Sequence, residues 1–423
     1  MNIRPTLTAL FAICLMLVGC TNETLPEASS TGTVENSNFI SMEEAQQDLM
    51  SILVVTDSPS SRAGTRFIIN SYKRELGKVS ARSDESVPPV YVFNFNDDNG
   101  FAIMASDRRM PSLIALAESG SLNEGDSIDN PGLGLFIDFL SSPGSGGGYG
   151  PVRWEWNDSL DTPGGASGYP RDVYGPWQTT KYISNACQVK WGQGEPYNAL
   201  CPEKEGKKTL TGCTATALAQ FMSIYQHPND YKGYVFNWSA MTQLPFAGLC
   251  SQDAQNSIAW LMRQLGTKEN LDVDYGVDGS GADKRNIHRT LSNCGFSNSG
   301  VRDIYNTPVV ADELVNGYPI LISAKSSKGR HTWLVHGLMQ RIRKIDHYYA
   351  KDVLEYTRYE IEYYPLCNWG WEGRADGYYL SGVFDAHSGP VESDDTAIFP
   401  STSTAPSGHN YNENVVAFYG IRQ

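Results

Sequence analysis

The chain has 423 residues, 40% of them hydrophobic, 11% aromatic and 19% charged, enough for two or three domains with a sizeable core. A formal net charge of −14 argues against nucleic acid as a main partner, because phosphate binding needs clustered Lys and Arg. Past the first residues, no stretch approaches the roughly 20 apolar residues of a membrane span.

The N-terminus reads as an export signal. Arg4 supplies the positive start and Leu7 to Val18 a short apolar core. The segment ends Leu17-Val18-Gly19-Cys20, which resembles the lipobox of bacterial lipoproteins. Residues 1–20 are therefore expected to be a lipoprotein-type signal peptide, with Cys20 lipidated and that lipid the sole membrane attachment. An ordinary signal peptide cut nearby is the alternative. Residues 21–38 are polar and poor in aromatics, a flexible tether.

A small α+β module is expected over 39–140. Ser41 and Glu44 stand in capping-box spacing, with Ala45, Leu49, Ile52 and Leu53 on one helical face. Val90 to Phe95 and Phe101 to Ala105 read as strands around a turn carrying Asn99-Gly100. Leu113 to Ala117 reads as a third strand. Ser141 to Gly150 is rich in Gly and Ser, so 141–174 is expected to be a linker and the place where proteases cut.

The second module, 175–423, opens with a loop, Trp191 to Asn198. Thr211-Gly212-Cys213 then starts a helical run with Ala217, Leu218, Phe221, Ile224 and Tyr225 at apolar spacing, and Thr211 is the expected cap. Cys213 falls in the first turn, where unpaired N–H groups and the helix dipole favour thiolate over thiol. A buried Cys that merely packs a core helix would look the same locally. A second amphipathic helix is expected from Ala254 to Leu265. A short one over Asp312 to Asn316 is stopped by Gly317 and Pro319. Pro319–Ala324, Thr332–Leu338 and Val415–Ile421 read as strands, and Ser381–Asn414 as mostly long loop. Helices first and strands afterwards suggest two lobes with a cleft between them.

A thiolate nucleophile needs a base within hydrogen-bond reach. Of seven histidines, His331 and His336 are the serious candidates; being five residues apart, they point to opposite faces of one strand. His331 starts that strand after a Gly-containing turn, where a reactive side chain is readily presented, whereas His336 fits a packed or outward-facing position. Asn368 could orient the imidazole, and Trp369 behind it would keep water off that bond. The backbone N–H of Cys213 and the side-chain amide of Gln193 would be the oxyanion donors. Setting aside Cys14 and Cys20, six cysteines remain. Reserving Cys213 leaves an odd five, so one or two disulfides are compatible with the count and a complete framework is not. No CxxC or HExxH occurs, so no metal and no cofactor is expected.

Four segments together look like the streptopain family of secreted bacterial cysteine proteases. They are Trp191–Asn198, Thr211–Ala217, Gly329–Gly337 and Asn368–Gly373, and they occur in the family's order. The resemblance implies a papain-like α+β fold with a helical lobe and an antiparallel β lobe, preceded by an α+β propeptide over 39–140. Gly100–Ile103 and Ser106-Asp107 carry that second likeness. It further implies Cys213 as nucleophile, His331 as general base and acid, Gln193 in the oxyanion hole, Asn368 orienting and Trp369 covering. The partners would be protein or peptide substrates and the chain's own propeptide as intramolecular inhibitor. This chain departs from the family in the 37 positions between His331 and Asn368, where Gln340 to Tyr364 reads as an added hairpin. His336 also stands where Asp is usual, and Thr332 where a small residue is. The rival expectations are a papain-like amidase acting on cell-wall peptides and a surface lipoprotein that binds protein without catalysis.

Overall fold

The structure is a computed structural model, and it describes residues 38–57, 66–75, 89–141, 171–184, 186–326, 329–351, 353–384, 391–393 and 415–423. The expected signal peptide, Cys20, the tether up to residue 37, the linker over 142–170 and most of the late loop lie outside them.

In chain order, α1 (Met42–Thr56) is followed by β1 (Ile68–Arg74), β2 (Val90–Phe95), β3 (Phe101–Ala105), β4 (Leu113–Ala117) and α2 (Pro131–Ser141). Next come β5 (Arg171–Tyr174), β6 (Gln178–Ile183) and the small ribbon β7 (Glu203–Lys204) with β8 (Lys207–Lys208). A helical stretch holds α3 (Cys213–Tyr225), the ribbon β9 (Asp230–Tyr231) with β10 (Tyr234–Val235), α4 (Trp238–Met241), α5 (Gln252–Leu265) and α6 (Asn286–Asn293). The remainder is β11 (Asn298–Ile304), α7 (Thr307–Val315), β12 (Ile320–Ser326), β13 (Gly329–Ala350), β14 (Val353–Asn368), β15 (Gly377–Tyr379), β16 (Val391–Ser393) and β17 (Val415–Arg422).

Helix α1 begins as its capping residues dictate: Ser41 Oγ accepts from Glu44 N, and Ala45, Leu49, Ile52 and Leu53 are buried. Burying each of the larger three is worth about 1.5–3 kcal/mol. Helix α2 has no apolar-periodic signal in Pro131-Gly132-Leu133-Gly134. It is nucleated by Asn130, whose Oδ1 accepts from Gly132 N and Leu133 N, with Pro131 pre-set for the first turn. Helix α7 is longer than its expected 312–316 because Asn306 caps it five residues upstream of Ala311, accepting from Val309 N with Pro308 in the first turn.

The modules seen in the sequence share one antiparallel sheet, in the order β1-β2-β3-β4-β15-β14-β13-β12-β17-β11, with β5 and β6 also on β13 and β16 on β14. The junction is β4 against β15, where Ala115 faces Tyr379 and Ala117 faces Gly377. Side chains alternate across β13. Trp333 and Val335 enter a core that continues into Leu49, Phe93 and Phe136 of the first module. Leu334 enters a second core with Leu218, Phe221, Leu261 and Phe418, beneath α3 and α5. The result is a mixed α+β architecture in which a helical lobe packs on the other face of the sheet from α1 and α2.

Candidate active site

Cys213 is the first residue of α3, entered through Gly212 at φ +90°. That conformation suits Gly, and a Cβ there would stand 3.2 Å from the Ser280 carbonyl oxygen. Thr211 is not the cap expected of it, since Gly212 holds the cap position with no side-chain bond. Thr211 Oγ1 instead meets Thr216 Oγ1 at 2.9 Å, and its N–H donates to the Gln193 carbonyl at 3.1 Å. These bonds lay the Trp191–Asn198 loop beside the start of the helix. Gln220, one turn further on, accepts from Trp191 N at 3.0 Å and fixes the same loop from below.

The structure brings Cys213 and His331 together. Burial pushes the Cys213 thiol up, but hydrogen bonding to His331 and the charge of its ring outweigh it. The Thr332 backbone and the Thr214 hydroxyl add to that, so the thiol lies below its ordinary value. Thr214 Oγ1 donates to Thr332 Oγ1 at 3.2 Å, which donates to Ser323 Oγ at 3.1 Å. This hydroxyl chain ties α3 to β13 and β12 beside the sulfur. Thr332, a departure from the family pattern in the sequence, is thus a structural link between the lobes.

His331 is 2% exposed and sits opposite Ala324 at the start of β13. Its Nε2 donates to the carbonyl of Trp369 at 2.9 Å. A carbonyl only accepts, so Nε2 carries a proton and Nδ1 is the nitrogen left for the sulfur. The side chain of Asn368, expected to orient this ring, has other partners here. Its Nδ2 donates to the Val189 carbonyl and its Oδ1 accepts from Gly370 N, both at 3.1 Å. The orienting acceptor is the backbone of the next residue, and Asn368 holds the turn that carries it.

Trp369 is fully buried. Its indole packs 6.4 Å from the His331 ring and 5.0 Å from both Trp333 and Tyr379, and its Nε1 donates to the Ala375 carbonyl at 2.8 Å. Asp376 accepts from Trp369 N at 2.9 Å. Burial raises that carboxyl to about 7 against the opposing pull of Lys190. Sequence reasoning gave Asp376 no role; the only signal was its place seven residues beyond Trp369 in the same Gly-rich turn. The first module reaches the site through α2: a Cβ on Gly132 would lie 2.1 Å from Trp369 Cε3.

The other histidine of the strand is placed elsewhere. His336 Nδ1 accepts from Cys187 N at 3.3 Å, and burial, with Lys190 nearby, pushes its pKa down to about 3. An imidazole so reluctant to take a proton makes a poor general base near neutral pH. All six cysteines among the described residues are free. Burial drives the thiols of Cys187 and Cys294 up to about 12, so Cys213 is distinguished from them by its environment.

Residues 191–379 match the model of the Peptidase C10 family, and residues 37–141 that of the Spi protease inhibitor. Streptopain of Streptococcus pyogenes is 24% identical over 389 residues, spanning 81% of this chain and 85% of its own. The thiol protease/hemagglutinin PrtT of Porphyromonas gingivalis is 23% identical over 74% of this chain, which is 36% of its own length. Among solved structures, a fragment of Prevotella intermedia prointerpain A is similar at 20% identity and a TM-score of 0.49, covering 84% of this chain and 99% of that one. With its motifs in order and both the peptidase and inhibitor regions matched, the chain belongs to the Peptidase C10, or streptopain, family: it is a cysteine peptidase carrying an inhibitory propeptide.

Proposed function

We propose that the protein is an exported cysteine endopeptidase made as a zymogen, cleaving peptide bonds through a thioester on Cys213. The observation that carries this reading is the pairing of Cys213, at the start of α3, with His331 across the join of the two lobes. The Cys213 thiolate attacks the peptide carbonyl, and the oxyanion is held by the Cys213 N–H and the side-chain amide of Gln193. His331 passes the proton taken from sulfur to the departing amine, leaving the acyl group on the thioester. It then takes a proton from water, whose oxygen attacks the thioester carbonyl, and returns that proton to sulfur as the acid product leaves.

Asn368 acts as a positioning residue through the Trp369 carbonyl, and Trp369 shields that bond from water. The propeptide spans 39–140, and cleavage within 141–174 breaks its covalent link to the catalytic region. The Leu17–Cys20 sequence supports a lipid on Cys20, which would anchor the precursor to the bacterial envelope until processing. Labelling of the processed protein with a thiol-directed epoxide tests the catalytic reading. Stoichiometric modification with loss of peptide cleavage is expected, and Cys213→Ala is expected to take up no label and to cleave no peptide. Cleavage that persists in Cys213→Ala would overturn it.

A further inference from the structure

The β13–β14 pair continues far past the site. From Leu334 opposite Asn368 it runs through Arg341 opposite Glu362 and Arg343 opposite Glu360 to Ala350 opposite Val353. Nothing in the Cys213–His331 geometry requires this length. Arg341 is nevertheless completely buried, in a place where a guanidinium without partners would be very costly. Its partners come largely from the propeptide: Asp48 of α1 at 2.7 and 3.1 Å, and Ser112 Oγ at 2.7 Å.

Arg343, also buried, donates to Glu360 on the adjacent strand and to the backbone carbonyl of Arg108, each at 2.5 Å. Its guanidinium lies 4.6 Å from the centres of both the Tyr174 and Trp177 rings. Arg108 is in turn held by Glu44 of α1 through two 2.6 Å bonds. Tyr364 Oη donates to the Leu113 carbonyl at 3.0 Å. The hairpin therefore grips α1 and the 108–113 turn at a place distinct from the Gly132–Trp369 contact.

The last residues of the expected linker and the chain just beyond it lie on the same strand. Ile345 to Tyr348 pair with β5, Leu338 to Ile342 pair with β6, and Asp172 bonds His347 at 2.7 Å. A cut between 142 and 170 thus leaves both flanking segments attached to one hairpin.

Building on the zymogen reading, we propose that the Gln340–Tyr364 hairpin is a second binding surface for the propeptide, recognising the acidic face of α1 through Arg341 and retaining the propeptide after the linker is cut. Cleavage and activation are then separate events. Any anchor on the propeptide side keeps hold of the enzyme until the Asp48–Arg341 pair opens.

The test uses the full-length chain in a Cys213→Ala background, with a site for a specific protease placed between Gly144 and Gly150. After the cut, release of the propeptide is followed by gel filtration over time. The unaltered pair is expected to keep the two pieces together. Asp48→Ala, which leaves the catalytic region untouched, and Arg341→Ala are each expected to speed release roughly 30-fold or more. Asp48→Arg combined with Arg341→Asp is expected to recover part of the retention, and Asp48→Asn supplies a milder variant if the reversals do not fold. Release of Asp48→Ala or Asp48→Asn as slow as the parent, or immediate release of the parent, would overturn the proposal. Retention is read without catalysis, so its failure is distinct from failure of epoxide labelling at Cys213.

Discussion

The imidazole of His331 and the backbone carbonyl of Trp369 are joined by a 2.9 Å hydrogen bond, and the Asn368 side chain stands aside from it, clasping Val189 and Gly370. Asn368 thereby acts on the ring through the chain. Replacing it with Ala orphans a buried carbonyl and a buried N–H, each worth about 1–3 kcal/mol. The Trp369 carbonyl then loses its fixed position.

Asn368→Ala is therefore expected to lower kcat by roughly 10- to 100-fold together with the melting temperature. Asn368→Asp keeps the acceptor for Gly370 N and loses the donor to Val189. Its pH–rate profile is expected to keep the parent's inflections, because no carboxylate is brought onto the imidazole. Steady-state kinetics over pH 5–9 check this: a raised inflection in Asn368→Asp would show that the side chain, and not the turn, contacts His331.

That relationship also marks where the sequence was legible and where it was not. The Cys213 helix start, the strand carrying His331, the Val90–Ala105 strand pair and the Gln340–Tyr364 hairpin each have a local signal, in periodicity, punctuation or strand alternation. The joining of β4 to β15 has none, since its partners lie some 260 positions apart and each strand reads only as apolar. Helix α2 was hidden by Gly132 and Gly134, which punctuate a sequence as breakers. In the fold, Gly132 is where the helix backbone meets the Trp369 indole, a close approach that only a missing side chain permits. Which oxygen accepts from His331 depends on sub-ångström turn geometry that residue types do not encode.

The state of the Cys213 thiol gives a second prediction. Burial opposes the Cys213 thiolate, and the hydrogen bond and charge of His331 more than offset it, leaving the thiol below its ordinary value. The thiolate is present above its lowered pKa and is lost as pH falls through it. In processed enzyme, the alkylation rate with iodoacetamide is expected to inflect below that ordinary value. In His331→Ala the favourable partner is gone while burial remains, so the inflection is expected to move up. Rates measured across pH 5–10 decide the matter, and an inflection unmoved by His331→Ala would assign the thiolate's stability to the helix start alone.

The final prediction concerns latency at the cleft. Helix α2 meets the Trp369 indole at Gly132, and that indole packs beside the His331 ring, so the propeptide touches the same aromatic cluster that shelters the His331 imidazole. Gly132→Ala places a methyl group where the ring already is, forcing either α2 or the indole to move. Overpacking of this kind costs about 1–3 kcal/mol, or roughly 5- to 150-fold in the equilibrium between docked and undocked propeptide. Intact Gly132→Ala zymogen is therefore expected to react with the thiol-directed epoxide roughly tenfold faster than the parent. Once the linker is cut and the propeptide has been removed, the two enzymes should be indistinguishable, because residue 132 leaves with the propeptide. Time courses of labelling before cleavage and after removal of the propeptide separate the possibilities: equal rates in the intact forms would mean that α2 does not restrain the site, and unequal rates after removal would mean that the difference does not come from propeptide docking.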